Sequence, residues 1–194
     1  MSEAGQVLRD IYASIAELWC SPGDAGTEEV KEEAGQAIKK LEGSDKEGAS
    51  LLSRFLQASI SDEEYVELFE LAPRCSLYLG SHVFDEPQTC DKAAVSNRNM
   101  YMIELQGIYG HIGLKPNGKE LPDYLPLMVE FLSLTAGSED PIREKLIKEY
   151  ILPYLPPIRS RLEELKTPYI YLLGALERVL KLDLGTDQKG VSHV

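Results

Sequence analysis

Apolar residues recur along the chain at the three- and four-residue spacing of amphipathic α-helices, and no segment shows the alternation that is typical of a strand. Residues 7–19 carry the first such face. Thr27 can cap a second helix that ends at Gly43, and residues 51–56 indicate a third. Residues 61–64, Ser-Asp-Glu-Glu, predict a capping box at the start of a fourth helix.

The same pattern continues after an irregular segment. Residues 72–87 fit no long helix, and the next helix is predicted to begin near Asp91. A turn-rich loop then covers residues 113–123. Asp123 is predicted to be the N-cap of the following helix. The first turn of that helix tolerates Pro126, because the N–H that proline lacks would be unpaired there anyway.

Prolines mark the boundaries of the remaining helices. Asp140-Pro141 begins a helix that Pro153 is predicted to end, and a short helix is predicted over residues 158–165. Thr167-Pro168 begins the last helix. These faces and their short connections predict an all-α fold, a single-domain helical bundle of roughly eight to ten helices.

The length of the chain agrees with one domain. We expect the helical domain to span residues 1–182, with residues 183–194 as a flexible C-terminal tail. At 194 residues the chain can bury a core without disulfides or a structural metal. Its three cysteines have neither zinc-site nor disulfide-framework spacing, so reduced thiols are expected.

The charge balance restricts the class of partner. Thirty-two acidic residues against twenty Lys and Arg give a formal net charge of −12, which disfavours nucleic acid and anionic lipid and attracts a basic peptide. No apolar run approaches the length that crosses a bilayer, and the N-terminus has no signal-peptide pattern. We therefore expect a cytoplasmic protein with no nucleic-acid partner and no membrane insertion.

No pattern of residues predicts catalysis. The sequence has three histidines and lacks the HExxH, GxSxG, P-loop and dinucleotide-binding patterns. A Cys75–His82 dyad is one alternative, and a metal site built from His82, Glu120 and Asp123 is another. Neither has the ligand or nucleophile–base spacing that such sites use. We expect no enzymatic activity, no bound metal and no cofactor.

Two segments are candidates for binding a partner, and the first is Ser76–His82. Its three consecutive apolar residues suit either a loop packed on the core or the wall of an apolar groove. In the groove interpretation, Tyr78 supplies a rigid surface with a hydroxyl group and His82 a polar rim. Residues 62–91 hold eight acids and one base, which indicates either a solvated face or an acidic rim that steers a basic peptide.

The second segment, Glu120–Leu134, is a loop that leads into an apolar helix with Glu130 in its interior. Asp123 would cap this helix. Glu120 would lie near the positive end of the helix dipole, where a carboxylate is favoured by a few tenths to about 1 kcal/mol. Such a helix end also suits ligand recognition, so a capping role and a binding role are both open.

The order and spacing of the two segments resemble the TorD/DmsD/NarJ family of redox-enzyme maturation chaperones, most closely its NarJ branch. Glu120-Leu121-Pro122-Asp123-Tyr124 matches the E-x-P-D-H signature except at Tyr124, and with the following Leu-Pro it fits the E-L-P-D-[HY]-L-P pattern of the NarJ branch. Ser76-Leu77-Tyr78-Leu79 with His82 matches S-L-Y-L-x-x-H. The resemblance is good across about residues 65–134.

This resemblance implies a non-catalytic chaperone for a molybdenum-containing oxidoreductase of the nitrate-reductase or DMSO-reductase type. Such a protein would bind the N-terminal segment of the catalytic subunit, often a twin-arginine leader or its remnant, and hold that subunit for cofactor insertion. The peptide-binding positions that the resemblance carries over are Tyr78, His82, Glu120, Pro122, Asp123 and Tyr124.

The departure from the signature at Tyr124 argues against a role that depends on protonation there. Tyrosine stays neutral at pH 7, whereas a histidine can take up a proton. On this interpretation Asp123→Ala weakens peptide binding more than it destabilises the fold. A generic helical adaptor that binds an amphipathic partner helix is the alternative. Either protein could be a monomer or a homodimer.

Overall fold

The computed structural model describes residues 2–84, 96–115 and 118–185. Within these ranges every regular element is helical, and the single β-type pairing is an isolated antiparallel bridge between Tyr78 and Tyr124. The predicted all-α fold is confirmed. No helix in the described ranges is long and apolar enough to cross a bilayer.

Ten α-helices and three other helical segments follow one another along the described parts of the chain. The α-helices are α1 (Glu3–Leu18), α2 (Pro22–Ala25), α3 (Glu28–Glu42), α4 (Lys46–Leu56), α5 (Asp62–Phe69), α6 (Asn97–His111), α7 (Leu125–Leu134), α8 (Pro141–Lys145), α9 (Leu155–Leu165) and α10 (Tyr169–Asp183). The other segments are a 3-10 turn (Leu79–His82), a π-helix (Leu146–Ile151) and a second 3-10 turn (Leu152–Tyr154).

The caps predicted in the first half of the chain are confirmed. The Thr27 hydroxyl accepts a hydrogen bond from the Val30 N–H at 3.3 Å, and Gly43 is the C-cap of the same helix. At α5 both halves of the capping box form, with Ser61 accepting from the Glu64 N–H and the Glu64 carboxylate accepting from the Ser61 N–H. These caps hold because each pairs residues within one turn.

One predicted helix boundary is wrong, and another lies outside the described residues. The start predicted near Asp91 falls within residues 85–95, which the structure does not describe. The described helix α6 begins at Asn97, where the extended Ser96 caps it by accepting from the Asn99 N–H at 3.1 Å. Pro153 does not end its helix: the chain passes through the π-helix and the second 3-10 turn directly into α9. Changing the hydrogen-bond spacing around the missing proline N–H lets the helical path continue.

Helix α1 is central to the packing. It packs on α3, α7 and α10, and α10 packs in turn on α4. The buried residues of α1 include Ile11, Ile15 and Leu18, which confirms the apolar face predicted over residues 7–19. Next to the end of α1, Trp19 stacks on Tyr169 with ring centroids 5.5 Å apart, which joins the start of α10 to the same core.

A buried ion pair ties α8 to α10 and α1. The Arg143 Nη2 lies 2.5 Å from Asp183 Oδ2, and the Tyr12 hydroxyl donates to the same oxygen at 2.9 Å. Arg143 also donates through Nη1 to the Leu132 carbonyl at 2.7 Å. Burial raises the pKa of Tyr12 well above its usual value, so this hydroxyl stays a donor. The network fixes the helices around α7.

Candidate functional site

The two segments singled out in the sequence cross each other in the structure. The Leu79 N–H donates to the Asp123 carbonyl at 3.0 Å, and the Leu125 N–H donates to the Leu77 carbonyl at 2.9 Å. These bonds form the antiparallel bridge between Tyr78 and Tyr124. We call residues 76–82 and 120–125 together the loop crossing. Two segments about forty residues apart in the sequence therefore form one structural unit.

Asp123 holds the loop crossing together, and the prediction that it is an N-cap is wrong. Its Oδ2 accepts from the Gly80 N–H at 2.9 Å, whereas Tyr124 occupies the N-cap position of α7 and gives no side-chain cap. The helix start needs no carboxylate, because the Leu125 N–H already bonds across the crossing and Pro126 has no N–H. The carboxylate instead satisfies the buried N–H of Gly80.

The Asp123 carboxyl is fully buried, with 0% of the residue exposed. Burial raises its pKa, while the Gly80 N–H and the charge of Arg98 act in the opposite direction. Its Oδ1 has no hydrogen-bond partner within the described structure. A Cβ on Gly80 would lie 2.9 Å from Asp123 Oδ2, so this close approach requires glycine. Asp123 therefore lies inside the crossing, where its carboxylate holds the backbone of Gly80.

Pro122 is also buried, and its carbonyl accepts from the Tyr109 hydroxyl at 2.6 Å. This bond joins the second segment of the crossing to α6. Burial raises the pKa of Tyr109, so its hydroxyl remains protonated and keeps donating. Of the six predicted binding residues, Pro122 and Asp123 thus lie inside the protein.

Three other predicted residues come together at the surface of the crossing. The Tyr78 hydroxyl donates to the Glu120 carboxylate, and the rings of Tyr78 and Tyr124 lie 5.2 Å apart between centroids. Burial raises the pKa of both tyrosines, that of Tyr124 to about 12, and the negative charge of Glu120 adds to the effect. Both phenols are therefore neutral hydrogen-bond donors at pH 7.

Glu120 and Tyr124 open onto a groove of about 500 Å³ between α1 and α7, which we call the α1/α7 groove. The residues that line it are Arg9, Ala13, Ala16, Glu17, Cys20, Glu120, Tyr124, Pro126, Leu127, Glu130, Ser133 and Leu134. The Ser133 hydroxyl donates to the Arg9 carbonyl at 2.9 Å, which fixes the spacing of the two helices. Small and apolar residues dominate this lining, which suits an apolar side chain of a partner.

The charges that line the α1/α7 groove are mainly negative: Glu17, Glu120 and Glu130 against Arg9. Among the described residues, neither Glu17 nor Glu130 is in an ion pair. Burial raises the pKa of the Cys20 thiol, and Asp24, Glu17 and Glu130 raise it further. The carboxylates of Glu17, Glu120 and Glu130 thus give the groove a negative potential, which favours a cationic ligand.

A ridge on α7 separates this groove from a second, smaller cleft. Leu127, Glu130 and Leu134 line both, and the second cleft of about 220 Å³ is completed by Tyr109, Leu114, Lys115 and Phe131. Leu134 is 53% exposed, which is unusual for a large apolar side chain. The six binding residues predicted from the sequence do not include these ridge residues, although the candidate segment Glu120–Leu134 contains them. The signal was present, since Glu130 interrupts an apolar helix between two leucines seven residues apart.

His82, the sixth predicted residue, lies apart from the α1/α7 groove. Its Nε2 is 2.7 Å from the Ser76 carbonyl, and because a carbonyl only accepts, Nε2 carries the proton. The ring lines a separate cleft of about 440 Å³ with Arg74 and Arg161, which we call the basic cleft. Tyr78, Glu120 and Tyr124 thus share one site, and His82 belongs to another.

Neither catalytic alternative gains support from the geometry. Cys75 is buried, and burial raises the pKa of its thiol to about 11, which keeps it from forming the thiolate that a nucleophile needs. In the parts of the chain that the structure describes, no group of three His, Cys, Asp or Glu side chains is arranged to hold a metal.

Comparison with known proteins adds a family match. The family model described as nitrate reductase delta subunit matches residues 27–173. The chain is 30% identical to the probable nitrate reductase molybdenum cofactor assembly chaperone NarW of Escherichia coli K12, over 82% of this chain and 63% of that protein. It is 29% identical to the nitrate reductase molybdenum cofactor assembly chaperone NarJ of the same strain, over 85% of this chain and 67% of that protein. A similar relative in Bacillus subtilis, a probable chaperone of the same description, is 30% identical over 61% of this chain and 58% of that protein.

Proposed function

This chain belongs to the nitrate reductase delta subunit family, and from that premise we propose that it is a non-catalytic, cytoplasmic chaperone. Its client is the catalytic subunit of a molybdenum-containing oxidoreductase of the nitrate-reductase type. It acts by binding the N-terminal leader, or remnant leader, of that subunit and holding it for insertion of the molybdenum cofactor. The names of the related NarW and NarJ proteins support this assignment.

We propose the α1/α7 groove as the site for that segment. The observation that carries this placement is the pairing of an apolar lining with carboxylates that have no ion-pair partner among the described residues, Glu17 and Glu130. A leader with an apolar core and a basic flank is complementary to such a groove. A segment that is disordered when free would order on binding, as is common for recognition of this kind.

The residues of the loop crossing take different roles in this proposal. Glu120 and Tyr124 line the groove and contact the segment, while Tyr78 orients the Glu120 carboxylate through its hydroxyl. Pro122 and Asp123 keep the crossing in place from inside. The binding role of these residues stays a prediction. His82 is not assigned to the groove.

Apolar burial and charge contribute differently to the complex. A fully buried leucine-sized side chain contributes about 1.5–3 kcal/mol, so the apolar core of the leader provides most of the affinity. A carboxylate at the rim mainly raises the association rate and sets the orientation of the segment, and salt screens its effect. The proposal therefore expects binding that salt weakens without abolishing.

Calorimetric titration with the N-terminal segment of the client's catalytic subunit tests the proposal at low and high salt. Glu130→Gln should weaken binding about fivefold at low salt, corresponding to about 1 kcal/mol for a partly exposed charge pair. Glu42→Gln, which removes an equally charged exposed residue from the end of α3, should leave binding unchanged. No binding of any such segment would overturn the proposal. Equal binding of unrelated basic amphipathic helices would instead favour the generic adaptor.

A further inference from the structure

We propose that the basic cleft binds the phosphate group of a small phosphorylated molecule. The residues that line it are Pro73, Arg74, Ser76, Ser81, His82, Pro157, Ser160, Arg161 and Glu164. The cleft lies between the loop before residue 76, the first 3-10 turn and α9. The site is separate from the α1/α7 groove, so it does not depend on the proposed chaperone function.

The charge of this cleft is opposite to that of the protein. The chain carries a formal net charge of −12, yet two arginines and one glutamate line the cleft. The Arg74 guanidinium has no hydrogen-bond or ion-pair partner among the described residues. Two positive side chains that line one cleft repel each other, and an anion bound in the cleft relieves this repulsion. This favours an anionic ligand.

Arg161 is held in a fixed orientation with donors to spare. Its Nε–H donates to the Arg74 carbonyl at 2.7 Å, and its Nη1 donates to Glu164 at 2.9 Å. A guanidinium has five N–H groups, so three of those of Arg161 remain for a ligand. The contact with the Arg74 carbonyl also ties α9 to the loop that carries the second guanidinium. Both arginines therefore line the same cleft before any ligand binds.

The remaining polar groups add further donors. The Ser76 oxygen accepts from the Tyr78 N–H at 3.1 Å, which leaves its own O–H free to donate. Ser160 contributes another hydroxyl to the lining. Pro73 and Pro157 form rigid walls that lose little entropy when a ligand binds. The site is thus rich in donors and poor in acceptors.

This excess of donors favours phosphate over carboxylate. A carboxylate offers two oxygens with about four lone-pair sites, whereas a phosphate monoester offers three strong acceptor oxygens and up to two negative charges. Planar guanidinium groups also match phosphate geometry through paired hydrogen bonds. A cleft of about 440 Å³ has room for the phosphate and for part of the molecule that bears it.

A titration with inorganic pyrophosphate, followed by amide NMR shifts of the full chain at constant ionic strength, tests the proposal. We expect saturable shifts confined to residues 74–82 and 157–164. Arg74→Gln should weaken binding at least about tenfold, because a charge-assisted pair of hydrogen bonds is lost. The fold should be unaffected, since the replaced side chain has no partner among the described residues.

A control variant and a second variant of the cleft complete the test. Lys39→Gln removes the same charge from the exposed face of α3 and should bind pyrophosphate like the original chain. Arg161→Lys keeps the charge but loses the planar fork, so it should also bind more weakly. Equal affinity of the Arg74→Gln and original proteins would overturn the proposal. So would shifts that sodium chloride reproduces, or tighter binding of a glutamate-rich peptide than of pyrophosphate.

Discussion

Replacing Asp123 by alanine separates a role in the fold from a role in binding. The residue is fully buried, and its Oδ2 is the acceptor for the buried Gly80 N–H at 2.9 Å. Asp123→Ala leaves that N–H unpaired, which costs about 1–3 kcal/mol. The small cavity left behind adds on the order of 1 kcal/mol. In the original chain the buried Oδ1 of Asp123 has no hydrogen-bond partner, which is itself unfavourable. The alanine variant no longer buries this oxygen, and this offsets part of the cost.

The net expectation for Asp123→Ala is a loss of about 2–3 kcal/mol in the free energy of unfolding. This changes the expectation from sequence, in which binding would suffer more than stability. Urea unfolding followed by far-ultraviolet circular dichroism measures the loss. Titration with the leader segment, at a temperature where the variant is folded, measures binding.

Asp123→Asn is the matched control, because its side-chain oxygen can still accept from the Gly80 N–H. It should lose on the order of 1 kcal/mol, which is less than the alanine variant loses. This loss arises because the amide nitrogen, a donor, takes the place of Oδ1, which has no hydrogen-bond partner among the described residues. An Asp123→Ala variant that unfolds like the original chain but binds the leader more weakly would contradict this role in the fold. That result would mean that the carboxylate reaches the partner.

Three further outcomes follow from the same structure. Burial raises the pKa of Asp123 in the folded protein, so the folded protein binds this proton more readily than the unfolded chain does. Lowering the pH from neutral towards 4 should therefore stabilise the original chain relative to Asp123→Asn, and a difference in urea midpoint that stays constant with pH would contradict this. Arg143→Ala leaves Asp183 buried without its ion-pair partner and should lose about 3–5 kcal/mol in urea unfolding, against about 0–1 kcal/mol for the more exposed Arg159→Ala. Tyr109→Phe leaves a buried carbonyl without its donor and should lose about 1–2 kcal/mol by the same measurement, and an unchanged midpoint would show that this bond adds nothing.

The two faces of the loop crossing give the protein two surfaces of opposite charge. Tyr78 faces the acidic α1/α7 groove through Glu120, while Ser76 and His82 line the basic cleft. The Gly80 N–H between them is bonded to the buried Asp123. One short segment therefore supports both proposed sites. Substitutions that loosen the crossing should affect both sites, whereas Glu130→Gln and Arg74→Gln each change the lining of one site.

The order of the motifs, the all-α fold and the caps of α3 and α5 were determined by the sequence alone. The capping box at Ser61 and Glu64 and the cap at Thr27 depend on residues three apart, so local sequence specifies them. The apolar face of α1 follows from helical periodicity in the same way. These signals need no knowledge of distant parts of the chain.

The tertiary structure alone decided the role of Asp123 and the division of the candidate site. An aspartate before a helix can cap that helix or bond elsewhere, and the choice depended on the Gly80 N–H, which lies 43 residues away in sequence. The same long-range pairing placed Tyr78 beside Glu120 and turned His82 towards another cleft. A buried donor without a partner is costly, whereas the start of α7 already has its Leu125 N–H bonded across the crossing and no N–H at Pro126. The contact between the two segments therefore outweighed the local preference.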